Sequence, residues 1–237
     1  MDITKYLDTW AAAYRNDLIE NIMPFWMKFG LDRKHGGIYT CLDRDGKLMD
    51  STKSVWFQGR FGFIASYAYN HIEKKQEWLA ASKSCIDFIE THCTDIDGHL
   101  FFEVTEEGIP LRKRRYVFSE CFAAIAMSEY AIASGDKSYA TKALEMFKRI
   151  LKFLSTPGFL EPKYLPTLQS RGHSITMILI NTASRIREVI EDPVLDRQIN
   201  ESLTSIRQYF MHPEFKALLE MVGPKGEMID TCNGRTI

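Results

Sequence analysis

An α/α toroid, in which outer helices wrap a ring of inner ones and short β-hairpins line one rim, is the fold this sequence predicts. The first observation is a repeat. Hairpin-like glycine turns fall at Gly46, Gly108 and Gly226, 62 residues apart and then 118, twice 59. The second is that each unit of about 60 residues keeps one order: a polar outer helix, a hairpin or loop, then a helix apolar nearly all round. Such a unit cannot bury its apolar face alone, so neighbours must stack. The third is the contrast between the helices, since one-sided helices belong outside and all-round apolar ones inside. The 237 residues fit one such domain, 1–237.

Taken in order, Tyr6, Leu7, Trp10, Tyr14, Leu18, Ile22 and Phe25 recur at threes and fours, which predicts an amphipathic helix over 3–27. Pro24 marks its last turns or a kink. Gly36-Gly37 breaks the pattern, and 38–49 reads as two short strands around Asp45-Gly46. A helix over 52–71 follows, rich in aromatics, and then a one-sided helix over 75–92 with Trp78, Leu79, Ile86 and Ile89 on its apolar side. The order returns with a hairpin over 98–111, an apolar helix from Tyr116 to Tyr130, a stop at Gly135-Asp136 and a one-sided helix over 137–154. A loop over 157–166 takes the third hairpin's place. An apolar helix over 170–189, a polar one over 194–210 and a hairpin over 218–230 complete the series. Three full repeats, a fourth outer helix and a fourth hairpin leave the ring incomplete, with apolar inner wall for something else to cover.

Composition removes several functions. Thirty Lys and Arg against 31 Asp and Glu give a net charge of −1, without the basic excess a nucleic-acid binder shows. The one dense basic run, Arg112-Lys-Arg-Arg115, reads as a solvated hairpin edge. Five scattered cysteines (Cys41, Cys85, Cys93, Cys121, Cys232) form no CxxC pair, so neither a disulfide framework nor a metal site is expected. The acidic start is unlike a signal peptide, and no apolar run reaches the roughly 18 residues of a membrane span. A cytoplasmic protein with no membrane or nucleic-acid partner is expected.

The chemistry-bearing stretch is Asp50-Ser-Thr-Lys-Ser-Val-Trp-Phe-Gln-Gly-Arg-Phe-Gly-Phe63, where Arg60 sits within an apolar helix. A buried cation is costly unless it is paired or faces a polar cavity. Arg60 is therefore expected to face a pocket, or else to snorkel or pair with a carboxylate. Trp56 lies one turn earlier on the same face, where it either stacks on a ligand ring or packs as core. Glu120 in the second inner helix reads first as a buried ion pair to a neighbouring repeat and second as a ligand contact.

Three runs carry a resemblance: Gly36-Gly-Ile-Tyr-Thr-Cys-Leu-Asp-Arg-Asp-Gly46, Lys53-Ser-Val-Trp-Phe-Gln-Gly-Arg60 and Arg115-Tyr-Val-Phe-Ser-Glu-Cys-Phe122. In order and spacing they resemble the N-acylglucosamine 2-epimerase family, which also takes in cellobiose 2-epimerases and mannose-type aldose–ketose isomerases. The resemblance implies an (α/α)6 barrel, of which this chain holds about three and a half of six helix-pair repeats. It implies interconversion of N-acetylglucosamine and N-acetylmannosamine, or a related aldose, by C2 deprotonation through an enediolate. Arg60 takes the place of the family's catalytic arginine, and Tyr116 that of a substrate-contacting tyrosine. Trp56, Glu120 and His173 complete the substrate-binding set, although His173 and Met177 depart from the polar residues the family carries there. The family's two catalytic histidines lie on later inner helices, the first within an Asn-Pro-Gly-His-like run just after the Gly-Arg that here is Gly234-Arg235, so both fall outside this sequence. The 237-residue chain alone is then not a competent epimerase. No cofactor is consumed; a nucleotide such as ATP enters only as an activator known from the family. The expected partners are a small sugar and either a second copy or the missing C-terminal half. A sugar- or partner-binding fragment without catalysis is the rival outside enzymology. A glycoside hydrolase would need two facing carboxylates, and only Glu120 and Glu161 offer themselves.

Overall fold

The computed structural model describes residues 2–113, 116–162, 164–214, 216–232 and 234. Helices dominate: α1 (Ile3–Asp17), α2 (Met23–Phe25), α3 (Val55–His71), α4 (Gln76–His92), α5 (Phe118–Ser134), α6 (Lys137–Ser155), α7 (His173–Arg187) and α8 (Pro193–Ser205). Wider π-type turns flank α2 at Leu18–Ile22 and Trp26–Gly30, and another continues α8 over Ile206–Phe210. The strands are two or three residues long: β1 (Cys41–Leu42), β2 (Leu48–Asp50), β3 (Lys53–Ser54), β4 (Glu103–Val104), β5 (Pro110–Arg112), β6 (Arg171–Gly172), β7 (Met211–His212), β8 (Ala217–Leu218) and β9 (Met221–Val222). Among the described residues no helix is long and apolar enough to cross a membrane.

The helices form a two-layered arc. In the inner layer α5 packs between α3 and α7; in the outer layer α4 backs α3, α6 backs α5 and α8 backs α7. Burial follows the predicted contrast. The middle inner helix α5 buries twelve of its 17 residues, polar Ser119, Glu120, Ser128 and Glu129 included, whereas α6 buries one side only. The main core joins Val55, Ile86, Ile89, Cys121, Met127, Phe147, Ile150 and Ile186 from both layers.

The close approach of α3 to α5 depends on Gly59. A Cβ there would lie 2.6 Å from the backbone carbon of Phe122 and 2.8 Å from its oxygen. Backbone cannot rotate aside, so the helices must part. Gly59→Ala is expected to cost about 1–3 kcal/mol, the usual range for overpacking, read as a drop in thermal midpoint. A variant as stable as the parent would show that the two helices separate freely.

Two inner helices start later than their periodicity predicts, at Val55 rather than near 52 and at His173 rather than near 170. The rim explains both. The second hairpin pairs with the chain entering α3 (Lys53 with Val104, Ser54 with Glu103), and β9 pairs with the chain entering α7 (Arg171 with Val222). Each lead-in is thus taken as an edge strand by a later hairpin. Tyr116 likewise precedes α5 rather than opening it.

The first helix differs more. Its second half packs as expected, with Leu18, Ile19 and Met27 against Met23, Phe61, Ala65, Ala68 and Trp78. Its first half, α1, buries no residue. The described part of the basic run, Arg112 and Lys113, is a solvated hairpin edge as expected; there Arg112 lies over Phe102, and Lys113 bridges Asp95 and Asp97 at 2.6 and 2.5 Å. Arg114 and Arg115 lie outside the described residues.

Candidate functional site

The N-terminal ends of α3, α5 and α7 meet the rim around a cleft of about 940 Å³, lined by Trp56, Tyr116, Phe118, Tyr164, Arg171 and Glu220 among others. Trp56 is its best-fixed wall. Its ring meets Phe102 edge-on at 5.2 Å and lies 5.3 Å from Phe118 and 5.9 Å from Phe122. Its Nε1 is buried with no hydrogen-bond partner among the described residues. Tyr116 stands edge-on to Phe118 at 6.2 Å. Of the residues singled out in the sequence, Trp56 and Tyr116 share this cleft.

Arg60 lies one turn further along α3, is exposed, and is not among the residues that line this cleft, contrary to the expected pocket-facing position. Its guanidinium carbon sits 4.3 Å from the Phe122 ring centre, 5.6 Å from Trp56 and 5.5 Å from Phe57. Among the described residues no carboxylate comes within ion-pair distance of it. The guanidinium is therefore bedded on aromatic faces while its N–H donors stay available, an arrangement suited to an oxyanion or a polyhydroxylated ligand. Neither snorkelling to a helix end nor an ion pair describes it.

Two predicted contacts are placed elsewhere. Glu120 is fully buried; its Oε1 meets His99 Nδ1 and accepts the Leu100 N–H at 2.6 Å. The sequence favours a pairing to a neighbouring repeat; the partners are instead in the hairpin of the same repeat, and the contact ties the turn before β4 to the first turn of α5. His173 turns from the cleft to pack on Phe210 at 5.4 Å, while its backbone N–H donates to the Glu220 carbonyl at 3.0 Å. Its neighbours Gly172 and Ser174 line the cleft instead. As the first residue of α7, its side chain lies against Phe210, just before β7, rather than over the opening.

Sequence reasoning missed Arg171. It lines the cleft, donates from Nε to the Pro224 carbonyl at 2.7 Å and lies 4.2 Å over the Tyr209 ring. The available signal was positional: Arg171-Gly172 leads into α7 as Lys53-Ser54 leads into α3. Among the described residues no three His, Cys, Asp or Glu side chains cluster as metal ligands. The buried Cys85, Cys93 and Cys121 thiols are pushed up to about 12 by burial, which makes them unreactive.

This arc of helix pairs is the architecture of the (α/α)-barrel sugar epimerases and isomerases. A cellobiose 2-epimerase from Bacillus thermoamylovorans B4167 superposes on 94% of the chain and 61% of its own, with a TM-score of 0.83 at 20% identity. Sequence narrows the class. The model of the N-acylglucosamine 2-epimerase family matches residues 37–218, and the chain belongs to that family. Its relatives include N-acylglucosamine 2-epimerase of Rattus norvegicus, 28% identical over 237 residues, covering 97% of the chain and 56% of the rat protein. A cellobiose 2-epimerase of Ruminococcus albus is 31% identical over 143 residues, 60% of the chain and 36% of that protein. The chain thus spans little more than half the length of the full relatives it matches.

Proposed function

We propose that this chain forms the Arg60-bearing part of a sugar 2-epimerase. It supplies about three and a half of the six helix pairs of an (α/α)6 ring and one wall of its site. The substrate is N-acetylglucosamine/N-acetylmannosamine or a related aldose. In the open-chain form a base removes the C2 proton α to the aldehyde, the electrons pass to O1 as an enediolate, and protonation of the opposite face of C2 gives the epimer. Arg60 stabilises the developing oxyanion, while Trp56 and Tyr116 hold the sugar at the rim. The base and acid are the family's two histidines, expected beyond Gly234-Arg235; Arg235 itself lies outside the described residues. Turnover requires those two histidines together with Arg60. The reaction consumes no cofactor, a nucleotide such as ATP acts at most as an activator, and the setting is cytoplasmic.

The observation that carries this reading is Arg60, exposed on an inner helix, bedded on three aromatic rings and without a carboxylate partner among the described residues. The test is product analysis in deuterated water, with this chain completed by the family's C-terminal part. N-acetylmannosamine, cellobiose and mannose are supplied in turn. An epimer carrying deuterium at C2 supports the proposal. A ketose with the label at C1 identifies an aldose–ketose isomerase instead. Sugar binding without exchange marks a non-catalytic module.

A further inference from the structure

We propose that Arg171 and Glu220 clamp the C6 hydroxyl end of the substrate, the end away from the chemistry, and that this end is uncharged. The inference rests on the epimerase reading above, which places C1 and C2 of the open-chain sugar at Arg60.

Among the described residues, Arg171 and Glu220 are the only charged side chains lining the cleft. Both are exposed, and among the described residues neither has an ion-pair partner, the other included. Arg171 is held along one edge. Its Nε donates to the Pro224 carbonyl at 2.7 Å, and its guanidinium carbon lies 4.2 Å from the centre of the Tyr209 ring. The N–H donors on Nη1 and Nη2, set in the same planar fork, have no protein partner among the described residues.

An earlier repeat shows what a structural cation looks like at this place. Lys53 also leads into an inner helix and also pairs with a strand of a later hairpin. It is fully buried, however, and gives its donors to Asp32, Gly36 and Glu106. Arg171 occupies the matching position with its donors open to the cleft. Glu220 comes in just before β9, where its backbone carbonyl accepts the His173 N–H at 3.0 Å. That bond fixes the main chain and leaves the carboxylate to the cleft.

Trp56 joins this end to the reacting one. Its ring lines the cleft and also lies 5.6 Å from the Arg60 guanidinium carbon. A sugar laid against Trp56 with C1 and C2 toward Arg60 carries its other end into the cleft. One open cation beside one open carboxylate then selects the chemistry. A hydroxyl both accepts and donates, so O6 takes an N–H from Arg171 and gives its proton to Glu220. A phosphate dianion or a carboxylate at C6 has no proton to give and meets the Glu220 charge. The substrate class is therefore a neutral aldose with a free C6 hydroxyl, not a sugar phosphate or a uronic acid.

The test uses the completed enzyme with N-acetylmannosamine and mannose, the 6-deoxy form of each and the 6-phosphate of each. Affinity is read by calorimetry, and turnover on the same samples. Arg171→Ala should raise Kd and KM for the two neutral sugars about tenfold, the scale of a hydrogen bond to a charged group, with kcat changed by no more than about twofold. Arg171→Lys, which keeps the charge without the fork, should recover part of the loss. Removing O6 should cost the parent a similar factor and cost Arg171→Ala nothing further, because its partner is already gone. Glu220→Ala removes a side chain with no partner among the described residues, and should shift the preference about tenfold from the neutral sugar toward the 6-phosphate. A loss in Arg171→Ala that is the same with and without O6 reduces Arg171 to a brace on Pro224 and overturns the proposal. So do unchanged affinities in either variant, a parent that binds the 6-phosphate more tightly than the neutral sugar, or binding of none of these sugars. The two readings fail separately. Turnover indifferent to both side chains keeps the epimerase and rejects the clamp. Binding that needs O6, Arg171 and Glu220 but leads to no epimer keeps the clamp and rejects the epimerase.

Discussion

Replacing Arg60 with alanine in the completed enzyme is expected to lower epimerisation about 10²–10³-fold, the cost of one oxyanion donor. The fold should barely notice. Arg60 is exposed and has no ion pair among the described residues. Losing its contact with Phe122, Trp56 and Phe57 costs about 0.5–1 kcal/mol, as exposed cation–π contacts do. Arg60→Lys separates charge from geometry. A lysine keeps the cation but loses the planar fork that spans adjacent oxygens, so most of the activity should stay lost. Deuterium exchange at C2 should fall in parallel with turnover, because both pass through the same enediolate. An alanine variant that still exchanges the C2 proton at the parent rate would remove Arg60 from the chemistry, leaving it a surface cation resting on aromatics.

One fixed charge in an otherwise apolar helix is a local signal, so the sequence singles out Arg60, whereas the bed it rests on, Phe122 of α5 included, is assembled by the fold. The repeat was legible for a similar reason, since glycine turns at a steady interval and helices alternating between one-sided and all-round apolar are properties of the chain itself. The rim strands were not. Lys53-Ser54 and Arg171-Gly172 became strands only because hairpins from later repeats paired with them, and no propensity in two residues announces a partner 50 residues away. The first half of the opening helix shows the same boundary: periodicity predicts an apolar face there, yet α1 buries no residue, because periodicity carries no information on what covers a face. Glu120 was half legible: its burial called for a cation or donors, yet His99 and the Leu100 N–H come from the hairpin of its own repeat rather than from a neighbouring one.

The residue furthest from legibility is Lys53, and removing it is the second large effect expected. A lysine just before an apolar helix reads as solvent-exposed, but its side chain is fully buried. The three ammonium donors go to Asp32 Oδ2 at 2.6 Å and to the carbonyls of Gly36 and Glu106, each at 2.8 Å. The Phe88 ring lies 4.2 Å away. One side chain thus ties the first hairpin's lead-in, the start of α3 and the second hairpin's turn. Two of its acceptors are backbone carbonyls, which leave no mark in the sequence. Lys53→Met strands the Asp32 carboxylate and should cost about 3–5 kcal/mol, the range for breaking a buried pair. For a domain of this size the thermal midpoint should fall on the order of 10 °C. Asp32→Asn combined with Lys53→Met should recover part of the loss, since the stranded charge is then gone. The pH dependence has a definite sign. Burial would raise the Asp32 pKa, but the Lys53 hydrogen bond, the His35 and Lys34 N–H groups and the Lys53 charge together hold it below the ordinary 3.8. A depressed carboxylate contributes stability above its unfolded value and loses it as pH falls through the folded one. The stability gap between parent and Lys53→Met should therefore be full near pH 7 and close below about pH 4, where the variant's isolated carboxyl is already protonated. Thermal melts of both proteins across that range decide it: a gap that stays constant into acid would mean that Lys53 acts through packing and its two carbonyl bonds rather than through Asp32.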